Sequence, residues 1–154
     1  ENMLSPEELD RVAVHALEQI SGIQSFRLTN RIRTNAEISS FIQNMMCLPE
    51  RKKGRHFPHV TVMYANDDRE ADVLLSDAQH QGYQVILNEA EPAICADRLA
   101  MVLDQRYFYD RQNYLRSDDR SVRRLFHQLN GAKEELLLVV KQNEPLYAVL
   151  LDLL

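Results

Sequence analysis

Residues 60–87 read VTVMYANDDREADVLLSDAQHQGYQVIL, and this stretch decides the fold class. Its first six residues are β-branched, apolar or aromatic, which predicts a buried strand. The next three, NDD, are typical of a helix start, and apolar positions at 71, 74, 75 and 78 then follow at helical spacing up to Gly82. A second strand is predicted at residues 83–87. Short turns on both sides of the helix imply two parallel strands joined by a right-handed crossover.

The same alternation of strands and helices continues on both sides of this stretch. Further strands are predicted at residues 26–28, 99–104 and 135–140. Helices are predicted at residues 5–20, 35–45, 120–129 and 145–154, with a polar loop at residues 48–58. The fold class is therefore α/β, a RecA-like or Rossmann-like three-layer sandwich with a mainly parallel sheet. A receiver-like or flavodoxin-like sheet would give the same pattern.

Length and composition indicate one globular domain. The chain has 154 residues, so residues 1–154 are expected to form a single domain of a longer protein, because no initiator methionine is present. Apolar residues make up 45% and charged residues 27%, which is typical of a globular chain. The apolar runs are much shorter than the roughly 20 residues of a membrane span, and the acidic start differs from a signal peptide. We therefore expect a cytoplasmic protein without membrane contact.

Neither the cysteines nor the histidines form a pattern that predicts catalysis or metal binding. Cys47 and Cys95 are far apart in the sequence, and both are expected to be buried thiols. Cys47, His56 and His59 fit no zinc spacing, and a fourth ligand is missing. Pairing of Cys95 with a histidine as nucleophile and base has no local support in the sequence.

Four stretches, taken in order, carry a family resemblance. Residues 28–34, LTNRIRT, are similar to a Leu-x-x-Asn-Tyr-Arg-Ser motif, and residues 60–87 are similar to the strand, helix and strand that follow it. Residues 93–104 are similar to Gly-x-Glu-Phe-Asp-x-Val-x-x-Val-Leu-Asp. Residues 125–140 are similar to Leu-Tyr-x-x-Val-Thr-Arg-Ala-Arg-Glu-x-Leu followed by an apolar strand. Together they resemble the second RecA-like domain of UvrD/RecD-like helicases, particularly the Schlafen-like bacterial ATPases, over roughly residues 20–154.

The resemblance implies one nucleotide-sensing residue and several losses. Arg33 matches the family arginine that reaches the γ-phosphate held on the first domain. Ala93 and Cys95 stand where the family has glycine and glutamate. Asn130 and Gly131 stand where it has threonine and arginine. That second arginine stabilises charge on the transferring phosphoryl group, an effect of roughly 10³–10⁵ in rate.

ATP hydrolysis by this chain alone is therefore not expected. No Gly-x-x-x-x-Gly-Lys-Ser/Thr phosphate loop occurs in the sequence, so phosphates and magnesium have no binding loop here. Lys133 is a point charge and does not reproduce the bidentate guanidinium of the missing arginine. We predict no catalytic residue, no metal site and no bound cofactor.

The leading hypothesis is a degenerate second helicase domain that acts as a non-catalytic docking or nucleic-acid-associated module. The implied partners are an ATP-binding motor domain of the same protein and single-stranded nucleic acid. A basic run in the loop at residues 48–58 is predicted to contact phosphates, although the net charge of the chain is −5. The members of this run are Arg51, Lys52, Lys53 and Arg55.

Two alternatives come from other functional classes, a protein-interaction module without nucleotide contact and a receiver-like signalling domain. Asp67 and Asp68 follow a strand, as acidic residues do in a receiver. A helix N-cap explains them too, and the strand before them has no matching acidic partner. An aromatic cluster is expected either to stack nucleic-acid bases or to pack a loop against the core. Its members are Tyr107, Phe108, Tyr109 and Tyr114.

Overall fold

The computed structural model describes residues 35–87, 93–117 and 122–154. The predicted helix at residues 5–20, the predicted strand at 26–28 and Arg33 lie outside these ranges. The helices are α1 (Ala36–Met46), α2 (Asp68–His80), α3 (Val122–Leu129) and α4 (Glu144–Leu153), with a 3-10 turn at Leu48–Glu50. The strands are β1 (Val60–Ala65), β2 (Gln84–Ile86), β3 (Ala96–Leu103), β4 (Tyr107–Tyr109), β5 (Leu115–Ser117) and β6 (Ala132–Lys141). Among the described helices, none combines the length and the apolar character needed to cross a membrane.

Four strands form one parallel sheet in the order β1, β6, β3, β2. Val60 of β1 lies opposite Leu136 of β6, and Leu136 lies opposite Leu99 of β3. The predicted parallel sheet is therefore confirmed, although β3 and β6 begin earlier than predicted, at Ala96 and Ala132.

The strand order excludes the receiver-like alternative for the described strands. In a flavodoxin-like or receiver-like sheet, the first strand lies between the second and the third. Here β1 lies beside β6 instead, while β2 and β3 are neighbours on the other side of the sheet. The receiver-like sheet that the sequence left open as an alternative differs from the order of the described strands, because a sequence pattern of alternating strands and helices does not specify which strands pair.

Helices cover both faces of the sheet, which makes the fold a three-layer α/β sandwich. Leu136 and Leu138 of β6 pack in one core with α1, α3 and α4. Leu137 and Val139 point to the opposite face and pack against α2. The apolar stripes predicted from the sequence are buried, at positions 38, 41, 42 and 45 of α1 and at 71, 75 and 78 of α2. The apolar run of β6 is thus explained, because a central parallel strand is buried on both faces.

The polar residues that were predicted to start helices do cap them. The Asn35 side chain accepts a hydrogen bond from the backbone N–H of Glu37 at 2.9 Å. The Asp67 side chain accepts one from the N–H of Glu70 at 2.8 Å, so the cap interpretation of Asp67 is confirmed. Gly82 ends the α2 segment with a φ of +89°, a left-handed conformation that favours glycine.

An antiparallel hairpin between β3 and α3 was not predicted. Tyr107 of β4 lies opposite Ser117 of β5, and Tyr109 lies opposite Leu115. The connecting turn uses Asn113 at a φ of +61°, a conformation that asparagine tolerates better than most residues. Strands of three residues are too short to show a two-residue alternation, so the sequence pattern did not reveal the hairpin.

Candidate functional site at the amino edge and the basic loop

All four parallel strands start at the same edge of the sheet, which we call the amino edge. The backbone N–H of Asn35 donates a hydrogen bond to the carbonyl oxygen of Lys133, at 3.2 Å. Lys133 is the second residue of β6. Asn35, the residue that follows the first family-like stretch, therefore lies against the middle of the fourth. Arg33, two residues before Asn35, is outside the described residues.

The third and fourth family-like stretches also meet at the amino edge, around Gly131. The N–H of Ala96 donates to the carbonyl oxygen of Gly131 at 3.0 Å. A β-carbon on Gly131 would lie 1.9 Å from the carbonyl oxygen of Ile94 and 3.0 Å from that of Gln128. Position 131, where the family has its arginine, thus has no room for a side chain unless the backbone shifts.

Two side-chain pairs at the amino edge are exposed to solvent. Lys133 Nζ lies 3.8 Å from the Asp97 carboxylate. His59 Nε2 lies 3.6 Å from the Glu37 carboxylate, and each side chain is about half exposed. Exposed pairs of this kind contribute at most about 1 kcal/mol each, so the edge remains open to other charged groups.

The structure corrects the expectation of two buried thiols. Cys95, at the amino edge before β3, is exposed, and Cys47 after α1 is half-buried. No hydrogen bond or ion pair of Cys95 with a base is found within the described ranges. Within those ranges there is also no group of three histidine, cysteine or acidic side chains that could hold a metal ion.

The two arginines of the predicted basic run make contacts within the domain. The Arg51 guanidinium lies 2.5 Å from the carboxylate of Asp152 in α4. Arg55 donates to the hydroxyl of Ser40 in α1 at 2.6 Å. The loop is therefore fixed at both ends of the run, and Arg51 has part of its charge neutralised.

Unlike those of the two arginines, the side chains of the two lysines of the run make no hydrogen bond or ion pair among the described residues. The backbone N–H of Lys52 donates to the side-chain oxygen of Asn44 at 3.1 Å, which fixes the loop to α1. The side chains of Lys52 and Lys53 are exposed, and in the described part of the chain neither has an acidic partner. The loop thus holds two unpaired ammonium groups next to each other on a fixed backbone.

The aromatic cluster divides between the core and the surface. Tyr107 is 1% exposed. The hydroxyl of Tyr109 donates to the carbonyl oxygen of Met45 at 2.8 Å, and burial raises the pKa of Tyr109. Phe108 and Tyr114 are 46% and 36% exposed. Packing against the core therefore accounts for two of the four rings, and the other two are accessible.

A charged cluster at the opposite, carboxyl edge of the sheet was missed by the sequence reasoning. Asp68 and Lys141 form an ion pair at 2.6 Å, and Asp104 accepts from Arg106 at 3.0 Å. Burial acts to raise the pKa of Asp104, but the hydrogen bonds from Arg106 outweigh it and the pKa is lowered. The four residues border a cavity of about 190 Å³. Asp104 follows β3 directly, and not β1, the strand that precedes Asp67 and Asp68.

The signal for this cluster is present in the sequence. Asp68, Asp104 and Lys141 each come at or just after the end of a parallel strand, and the carboxyl ends of parallel strands share one edge. Recognising the cluster required the pairing of the strands, which the sequence pattern does not give.

No protein-family model, no curated protein and no solved structure matches this chain.

Proposed function

We propose that the chain is a degenerate second RecA-like domain of the UvrD/RecD-like type, which associates with nucleic acid and does not hydrolyse ATP. The observation that carries this proposal is the convergence of the family-like stretches at the amino edge. Ala96 of the third stretch is bonded to Gly131 of the fourth, and Asn35, the residue after the first stretch, is bonded to Lys133 of the fourth, so segments far apart in sequence are neighbours in space. A chance likeness between separate segments would not be expected to bring them together.

The lack of hydrolysis is supported by the backbone around Gly131. The family arginine at this position contributes charge to the transition state, and no side chain fits there in this chain. Lys133 is the nearest described cation in the sequence, and it is paired with Asp97. The amino edge retains the arrangement of the motifs without the guanidinium that the reaction uses.

Docking on an ATP-binding domain of the same protein is the second part of the proposal. Arg33 would be the residue that senses the nucleotide on that domain, as in the family. Support comes from its position two residues before Asn35, whose N–H is bonded to the start of β6. We also propose a cytoplasmic protein, and the two free thiols, Cys47 and Cys95, support a reducing compartment.

The nucleic-acid part is tested with the basic run. We expect a short fluorescein-labelled oligothymidine to bind weakly at low salt, with an affinity that falls steeply as salt is added. Lys52→Ala with Lys53→Ala should weaken binding and lower the slope of log affinity against log salt by about 1.4, because each phosphate contact on a single strand contributes about 0.7. Fluorescence anisotropy measures both quantities.

The matched control removes two other positive charges. Arg69 and Arg111 are exposed, and in the described part of the chain they have no acidic partner. Arg69→Ala with Arg111→Ala changes the net charge equally and should leave the slope unchanged. An anisotropy titration that stays flat at high protein concentration would favour the protein-interaction module instead.

A further inference from the structure

A groove lies between α1 and α3, beside the basic run. Its volume is about 550 Å³, within the range of about 300–1,000 Å³ that is usual for ligand pockets. Met46 at the end of α1 and Phe126 of α3 form the apolar part of the groove wall. Phe126 is 38% exposed, although it is a large aromatic side chain. The groove therefore presents an accessible ring surface within a concave site.

One side-chain amide in the groove has a nitrogen without a hydrogen-bond partner among the described residues. Asn44 is 6% exposed, and its side-chain oxygen accepts from the N–H of Lys52 at 3.1 Å. Its amide nitrogen has no acceptor among the residues that the structure describes. This nitrogen reaches solvent, and a side-chain amide carries two N–H donors, so it can donate to a ligand bound in the groove.

Two cations border the groove from separate elements. Lys52 follows α1 in the basic run, and Arg123 belongs to the first turn of α3. Across the described ranges, neither side chain has an acidic hydrogen-bond or ion-pair partner. Glu50 is the one carboxylate among the described residues of the groove lining, so the local charge is positive although the whole chain is acidic.

We infer that this groove binds one nucleotide of a single-stranded nucleic acid. The base lies against Phe126 and Met46, the phosphate lies between Lys52 and Arg123, and the Asn44 amide donates to a base carbonyl. Aromatic stacking with phosphate contacts from arginine and lysine is the usual chemistry of single-strand binding, and it tolerates any base. The inference rests on the proposed nucleic-acid association of the basic run, and it adds α3 to that surface.

The first test compares matched pairs of single substitutions by anisotropy with the oligothymidine. Phe126→Ala should weaken binding by roughly 5- to 150-fold, the effect of one stacked base. Val73→Ala is the control, because Val73 is 54% exposed on α2, which packs on the opposite face of the sheet from the groove. Phe126→Leu keeps an apolar side chain on α3 and should also weaken binding, which separates stacking from a loss of folding.

The charges are tested in the same way. Arg123→Ala should lower the salt slope by about 0.7, the contribution of one phosphate contact, whereas Arg124→Ala should leave it unchanged. Arg124 is the neighbouring exposed arginine of α3 and does not line the groove. Glu50→Gln removes the one carboxylate of the described lining and should strengthen binding.

A free nucleotide is the other source of the same chemistry, and NMR with thymidine 5′-monophosphate distinguishes the two. Oligothymidine binding that depends on Lys52 and Lys53 but is unchanged in Phe126→Ala and Arg123→Ala overturns the groove and leaves the proposed function standing. Chemical-shift changes confined to the groove with the mononucleotide, without oligothymidine binding, indicate a free-nucleotide site and overturn both the single-strand inference and the proposed nucleic-acid association. Absence of both signals overturns both.

Discussion

Gly131 lies in backbone surroundings that leave no room for a side chain. A β-carbon there would lie 1.9 Å from the carbonyl oxygen of Ile94, a distance at which the backbone must move. Gly131→Ala should therefore lower the free energy of unfolding by about 1–3 kcal/mol, the usual cost of overpacking. Urea unfolding followed by circular dichroism measures this change.

Gly54 provides the control for this substitution. A β-carbon on Gly54 would meet no atom within 4 Å, but its φ of +78° disfavours alanine. Gly54→Ala should cost about 1 kcal/mol from backbone conformation alone, and Gly131→Ala should cost more than that. A Gly131→Ala protein as stable as the wild type would show that the Ile94 carbonyl shifts freely and that position 131 can hold a side chain.

The individual site residues were only partly predictable. The basic run could be recognised from its composition. The ion pair of Arg51 could not be predicted, because its partner Asp152 is 101 residues away in sequence. Exposure of Cys95 was equally hidden, since a single cysteine before a strand carries no periodic signal. Contacts between distant segments depend on strand order, and that information is missing from any local pattern.

Asp67 shows how much of an element a single local motif can specify. Its side chain accepts from the N–H of Glu70 at 2.8 Å and satisfies one of the unpaired donors at the start of α2. Asp67→Ala should lower the free energy of unfolding by about 1 kcal/mol. Asp67→Asn keeps an acceptor oxygen and should cost much less. Equal losses for both substitutions, measured by urea unfolding, would mean that the charge of Asp67 matters and the cap bond does not.

The elements that could be predicted are those with long, regular patterns. β1 spans Val60–Ala65, the residues predicted, and α2 buries three of the four apolar positions of its predicted stripe. The β4–β5 hairpin was missed because its strands are three residues long and their pairing depends on a turn at Asn113. Local propensity is informative when it is summed over many residues, and these strands are too short for that.

At the scale of the whole molecule, the two ends of the sheet have different characters. The amino edge brings together the backbone of Asn35, Gly131 and Lys133, whereas the carboxyl edge holds the ion pairs of Asp68 and Asp104. The basic run and the groove lie to one side, with α1 and α3. An acidic chain can therefore still carry a local positive surface, because exposed charges beyond a Debye length of about 8–10 Å are largely screened.

We expect no ATP hydrolysis by this chain alone. The sequence has no phosphate-binding loop, and the position of the second family arginine is occupied by Gly131 against the Ile94 carbonyl. We expect the purified chain to release phosphate from ATP no faster than a buffer blank, with or without magnesium and single-stranded DNA. A coupled phosphate assay with long incubation measures this rate.

Two variants make this measurement decisive. Arg33→Ala should leave the background rate unchanged, because the proposed role of Arg33 is to contact a nucleotide that another domain holds. Gly131→Arg should also remain inactive, since a guanidinium supplies charge to a transferring phosphoryl group but cannot replace the loop that binds the phosphates and magnesium. Steady magnesium-dependent phosphate release that disappears in Arg33→Ala would contradict the prediction and would show that this chain binds ATP by itself.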